Sequence, residues 1–179
     1  MPLTCPDIVT FKADLDGILN AISGFNCTTH SGIKIRSLLN VTAYASACRF
    51  LEGSVKHLVY NCCRLRGDSP AQLATLSSEL KKFNNPIFDN IRALYTDQLQ
   101  YNILQGKASN KYTDIDITFL NQIVINRHKN VHASENCGEW FNSNQKDITD
   151  LLKEITGLNS ILEYLDIIYW DNNTHLFKP

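Results

Sequence analysis

The sequence contains no run of about 20 apolar residues, the length that crosses a bilayer as a helix. It also has no excess of basic charge, since 17 Lys and Arg residues stand against 18 Asp and Glu residues. A strongly basic composition, typical of many duplex-DNA-binding domains, is therefore excluded, and any nucleic-acid contact must come from a local basic patch. Internal repeats, low-complexity tracts and a glycine-rich phosphate loop are absent as well.

The six cysteines lack the paired C-x-x-C spacing of a zinc site. The segment Met1–Cys5 has neither the basic start nor the apolar stretch of a secretory leader. We therefore expect reduced thiols in a cytoplasmic protein. We also expect no metal and no cofactor.

Apolar residues make up 44% of the 179 residues, enough for one domain with a sizeable core. They recur every three or four positions, which is typical of amphipathic helices. Helices are predicted over about 7–23, 34–65, 70–83, 86–99, 116–127 and 146–170. The prediction is an all-α, single-domain bundle of five or six helices. Its core covers about 34–170, with an N-terminal helix and loop in 1–33 and a tail in 171–179.

Local signals refine this outline. Ser69-Pro70-Ala71-Gln72 combines an N-cap serine, an early proline and a glutamine three residues later, the pattern of a capping box. Residues 106–112 are polar and are predicted to form a mobile loop, and a polar stretch follows the fifth predicted helix over 133–145. The alternation in Asp114–Ile117 is too short to predict a strand.

The segment Arg127-His128-Lys129-Asn130-Val131-His132 ends the helix predicted from about Asp116. Two histidines and two permanent cations occur in six residues. A fold gains little stability from such clustering unless an anion lies nearby. This segment is therefore the best candidate for a chemical site.

The pattern resembles the motif of the HEPN superfamily, in which an Arg is followed, after four to six residues, by a His. Arg127 and His132 match with four residues between them, and His128 fills the polar position after the arginine. The resemblance extends over about 34–66 and 116–170, and is closest to stand-alone HEPN families of bacterial conflict systems such as the RiboL-PSP-like group. Ser134 stands where some members have a tyrosine that is AMPylated, so that form of regulation is not implied.

The resemblance implies an all-helical fold and a metal-independent endoribonuclease, acting as a toxin or antiviral effector. Arg127 would hold the scissile phosphate and His132 would be the general acid or base. His128 and Asn130 would orient the phosphate or His132. In HEPN proteins a polar residue of an earlier core helix often faces the motif, and Glu52 in the stretch 44–53 is the equivalent here.

The same resemblance implies a homodimer, in which two motifs form one composite cleft, and an antitoxin or other regulatory protein. RNA is the expected partner, and no membrane is expected. Lys129 is a candidate phosphate contact, and Tyr112, Trp140 and Phe141 are candidate stacking platforms for bases. The alternative function is a catalytically inactive HEPN module that binds RNA, a nucleotide or a partner protein.

Simpler interpretations of the same residues remain open. Arg127 suits a helix C-terminus because cations are favoured there, and His132 can be a loop histidine without a role. Glu52 can pair with Lys56 four residues later on one helix face. A zinc site at His128, His132 and Cys137 lacks a fourth ligand, and no oxyanion-stabilising element accompanies Cys137 as a nucleophile.

Overall fold

The computed structural model describes residues 2–25, 28–131 and 146–179, without the side chains of residues 30, 33, 34 and 129–131. Within these ranges the chain is mostly helical and has one small antiparallel sheet. The elements are α1 (Pro6–Ser23), α2 (His30–Arg66), α3 (Pro70–Leu80), α4 (Phe88–Leu99), α5 (Leu104–Ala108), α6 (Asp114–Val131), α7 (Ile148–Asp166), β1 (Tyr169–Asp171) and β2 (Leu176–Lys178). The predicted all-α, single-domain fold is confirmed.

Helix α2 is the central element, and α1, α3, α4, α6 and α7 all pack against it. Its 37 residues span about 55 Å at the helical rise. It begins at a Thr29 cap and ends where Gly67 adopts a left-handed conformation (φ 93°) that favours glycine. Ala43, Ala47, Leu51 and Val55 are fully buried along one stripe. The small residues of this stripe allow the neighbouring helices to approach closely.

Helices α6 and α7 cross at Gly157, which is buried on α7. A Cβ atom at this position would lie 2.8 Å from the Cα and the carbonyl oxygen of Asp116 and 2.9 Å from Cβ of Phe119. Backbone therefore packs directly on backbone at this crossing, and only glycine fits without a shift of one helix.

The stretch 106–112 is only partly the predicted loop, because residues 106–108 belong to a helix and residues 109–112 form turns and bends. Helix α5 includes Gly106, and a Cβ there would lie 2.5 Å from the ring of Tyr112 and 2.6 Å from that of Tyr164. The Tyr112 hydroxyl donates a hydrogen bond to the carbonyl of Ile103 at 2.6 Å. Gly106 and Tyr112 face inward, which the polar composition of the stretch did not indicate. With α5, the described ranges contain seven helices.

The C-terminal end differs from the prediction, because α7 ends at Asp166 and the chain then forms the β1–β2 hairpin. Trp170 and Phe177 are cross-strand partners whose ring centroids lie 5.0 Å apart. The Arg66 guanidinium lies 5.7 Å from the centroid of the Phe177 ring. The predicted tail thus packs on the end of α2.

The remaining boundaries differ by only a few residues. Helix α4 begins at Phe88 rather than next to Pro86, and Asp114–Ile117 belongs to α6. The Ser69–Gln72 capping box is confirmed. None of the described helices is both long and apolar enough to span a membrane.

The glycine crossing provides a stability test. Gly157→Ala should destabilise the fold by about 1–3 kcal/mol, because α6 and α7 must separate or distort to accept the methyl group. Gly17→Ala is the matched control, since Gly17 lies in α1 and no atom outside its own helix lies within 4 Å of the added Cβ, and it should stabilise by about 0.5–1 kcal/mol. Urea unfolding monitored by circular dichroism measures both changes. Equal stability of the two variants would contradict the described crossing.

Candidate functional site

Arg127 lies on the face of α6 that packs into the core. Leu120, Ile123 and Val124 are fully buried, and Arg127 follows them at helical spacing. The side chain of Arg127 is only half-buried, because the apolar stripe ends one turn before the C-terminus of the helix. A permanent cation thus stands where the core meets the surface.

The Arg127 guanidinium contacts the α3–α4 turn. Its Nη1 and Nη2 atoms donate to the carbonyl oxygen of Asn84 at 3.3 and 3.5 Å, which are long hydrogen bonds. Among the described residues no carboxylate lies within ion-pair distance of Arg127. Within the described structure the cation is therefore positioned by weak contacts.

His128 contacts the next residue of the same turn. Its Nε2 lies 3.2 Å from Oδ1 of Asn85. The Asn85 carbonyl in turn accepts a hydrogen bond from Nδ2 of Asn90 on α4, at 2.8 Å. Arg127 and His128 are thus both placed against a turn that is anchored to α4.

Helix α2 contributes Cys48 and Glu52 to the same region. Burial raises the pKa of the Cys48 thiol to about 11, while the Arg127 charge lowers it and the Glu52 charge raises it. Both charges therefore act on one thiol. The ion pair that Glu52 forms is with Lys56, whose Nζ lies 2.6 Å from Oε1, as the simpler interpretation of this residue predicts.

The other predicted site residues have different outcomes. His132, Trp140 and Phe141 lie outside the described residues, as does Cys137. The backbone at 129–130 belongs to the last turn of α6, but the side chains of Lys129 and Asn130 are not described. The described structure therefore brings together Arg127 and His128, with Glu52 in the same region.

The predicted role of Tyr112 as a stacking platform is wrong. The residue is 2% exposed, and its ring centroid lies 5.7 Å from that of Phe88 and 5.6 Å from that of Tyr164. With its hydroxyl bonded to the Ile103 carbonyl, the side chain offers no face to a base. A tyrosine in a polar stretch indicated an exposed ring, whereas the ring is a core element.

A buried polar cluster between α2, α6 and α7 was not predicted. Glu154 is 4% exposed and forms an ion pair with Lys146, which also donates to the side chain of Gln122 on α6 at 3.2 Å. The buried Tyr44 hydroxyl and Oε2 of Glu154 have no hydrogen-bond partner within the described residues. Burial, followed by the negative charge of Glu154, raises the pKa of Tyr44 well above its usual range.

The sequence does contain a signal for this cluster. Glu154 comes three residues after Leu151 and four before Leu158, so a carboxylate occupies a position on the apolar stripe of α7. Such a group must be paired when it is buried. Lys146, at the start of the last described segment, is the partner, and the pair ties this point of the chain to α6 through Gln122.

Metal and thiol chemistry receive no support from the described part of the chain. No group of three or more His, Cys, Asp or Glu side chains that could hold a metal ion is found among the described residues. The described cysteines are free thiols, and burial raises the pKa of Cys62 to about 12 and of Cys63 to about 11. Thiols with such raised pKa values are poor nucleophiles at neutral pH.

Comparison of the chain with protein-family models, with curated proteins and with solved structures found no match.

The buried ion pair leads to a thermodynamic prediction. Lys146→Met should lower the free energy of unfolding by about 1–3 kcal/mol, because the Glu154 carboxylate stays buried without its cation. Adding Glu154→Gln to that variant should restore part of the loss, since the buried charge is then gone. A double-mutant cycle in urea measures the coupling. Additive effects of the two substitutions would contradict the pairing.

Proposed function

We propose that this chain is a metal-independent endoribonuclease of the HEPN type, with Arg127 and His132 as its catalytic residues. The observation that carries the proposal is the half-buried Arg127 guanidinium, held only by the Asn84 carbonyl and free of a carboxylate partner within the described structure. A cation in this state is suited to bind a phosphodiester. The resemblance of the motif to HEPN proteins supplies the type of reaction.

The chemistry requires a base, an acid and a cation. Removal of the 2′-hydroxyl proton allows the oxygen to attack the adjacent phosphorus, and the 5′-oxygen of the next nucleotide leaves with a proton. His132 can take or give a proton near neutral pH. Arg127 offers a planar fork that can bind two phosphate oxygens and stabilise the charge that develops on them. The products would carry 2′,3′-cyclic phosphate and 5′-hydroxyl ends.

The supporting residues position the side chains of Arg127 and His132. His128 contacts Asn85, in the turn whose Asn84 carbonyl contacts Arg127. Glu52 carries a negative charge on the side of α2 that also holds Cys48, where it can orient a cation or a histidine. Lys129 and Asn130 follow on the last turn of the same helix, where we assign them to phosphate binding and orientation.

The cellular setting belongs to the same proposal. A single Arg–His pair is a sparse site, and a homodimer would bring two motifs into one cleft. A cytoplasmic enzyme that cleaves RNA would arrest growth unless a partner restrained it. A toxin or antiviral effector, with a neutralising antitoxin or a trigger, fits that requirement.

Substitution of the two residues tests the proposal. His132→Ala should lower the rate of cleavage of a fluorogenic single-stranded RNA by about 10²–10⁴-fold, the usual contribution of an acid or base. Arg127→Ala should lower it by about 10²–10³-fold, and Arg127→Lys should recover only part, since lysine lacks the fork. Cleavage is followed with each protein purified in the same way.

Two matched controls separate catalysis from general effects. Arg64→Ala removes an exposed arginine at the far end of α2. His175→Asn removes a hairpin histidine whose φ of 52° an asparagine also adopts. Both should cleave at the wild-type rate. Wild-type rates in the Arg127 and His132 variants would refute the ribonuclease, whereas RNA binding without any cleavage by the wild type would favour the inactive HEPN module.

A further inference from the structure

A groove beside Arg127 and His128 is not used by the proposed chemistry. It lies along the α3–α4 turn and the exposed side of α4, and its volume is about 300 Å³. Lys82, Phe83, Asn84 and Asn85 line one part of it, and Asn90 and Asp97 of α4 line the other. This volume is at the lower limit of small-molecule sites, so one nucleotide rather than a larger ligand is the suitable occupant.

The groove and the candidate site share residues of the α3–α4 turn. The Asn84 carbonyl holds the Arg127 guanidinium, and the Asn85 side chain contacts His128. A strand whose phosphate binds at Arg127 can therefore extend along residues 82–85.

The groove has the chemical groups that bind a nucleotide. Lys82 is an exposed cation for a flanking phosphate, and Phe83 is half-buried against the core while it lines the groove. Aromatic rings stack on bases of any sequence, and amide side chains donate and accept at base edges. Asn84 is exposed, and Asn90 steadies Asn85.

A carboxylate lies at the end of the groove that is distant from the motif. Asp97 comes seven residues after Asn90 on α4, which places it about 10 Å further along the helix axis. A carboxylate only accepts hydrogen bonds at neutral pH, and in base recognition it accepts from exocyclic amino groups. It also repels phosphate, so a base edge rather than the strand's backbone belongs beside Asp97.

We propose that this groove is a base-binding subsite for single-stranded RNA, with Lys82 on a flanking phosphate and Asp97 selecting bases that carry an exocyclic amino group. The inference rests on the proposed function for its substrate class. It adds a preference that the motif cannot provide, because Arg127 and His132 act on parts of the nucleotide common to all four bases.

Binding of short oligonucleotides to the full chain tests the groove separately from catalysis. His132→Ala serves as the non-cleaving background, and fluorescence anisotropy reports the Kd of labelled hexacytidine and hexauridine. These two pyrimidines are a matched pair, because cytosine has the amino group that uracil lacks. The His132→Ala protein should bind hexacytidine about five-fold more tightly than hexauridine.

Asp97→Asn in that background should abolish the preference for cytosine, whereas Asp89→Asn, an exposed position on the same helix, should retain it. Lys82→Ala should weaken binding to both oligonucleotides and reduce the slope of log Kd against log salt by about 0.7. Lys153→Ala, an exposed lysine on α7, is the control for loss of charge and should leave the slope unchanged.

The outcomes separate the two proposals. Unchanged affinity, salt slope and base preference in the Lys82 and Asp97 variants would overturn the groove, even if cleavage depends on Arg127 and His132. Weakened, less selective binding in those variants would support the groove, even if the wild type cleaves no RNA. Failure of the His132→Ala protein to bind either oligonucleotide would overturn the groove as well.

Discussion

The direct packing of α6 on α7 at Gly157 is the constraint on which the rest of the structure depends. Because no side chain separates the two backbones there, the direction of α6 relative to α7 is set at the first turn of α6. Helix α2 packs against both, with its own small residues buried on one stripe. The opposite end of α6, which carries Arg127 and His128, is positioned as a consequence of this contact.

Charged groups next to α6 occur in two settings. Towards the core, Glu154 is paired with Lys146, and Tyr44 lies in the same cluster. Towards the surface, Arg127 contacts a backbone carbonyl but has no anionic partner in the described part of the chain. A buried charge with its partner maintains the fold, whereas a half-buried charge without one is available for a ligand. This difference distinguishes the Arg127 site from the structural cluster beside it.

Much of the architecture could be predicted from the sequence, because the buried face of a long helix consists of apolar residues that recur every three or four positions. The stripe of α7 and the capping box at Ser69 are examples. Features that depend on distant partners could not be predicted. Tyr112 and Gly106 face inward against Tyr164, and the hairpin packs on α2 through Phe177, which contacts Trp170 and Arg66.

The same reasoning applies to the site. Arg127 and His128 could be predicted as site residues because the spacing of a short motif is recognisable in the sequence itself. The α3–α4 turn that contacts them is more than 40 residues earlier in the chain, and no local pattern relates Asn84 and Asn85 to the motif. Glu52 had two interpretations, and its ion pair with Lys56 depends on four-residue spacing alone. His132 lies outside the described residues, so its role stays a prediction.

The central claim is that Arg127 and His132 direct cleavage of RNA through its own 2′-hydroxyl. The most direct measurement uses a DNA oligonucleotide that contains one ribonucleotide, with mass spectrometry of the products after incubation with the wild-type chain. Cleavage only on the 3′ side of the ribonucleotide, leaving a 2′,3′-cyclic phosphate, is the predicted result. Cleavage at deoxynucleotides, or products with 5′-phosphate ends, would contradict it.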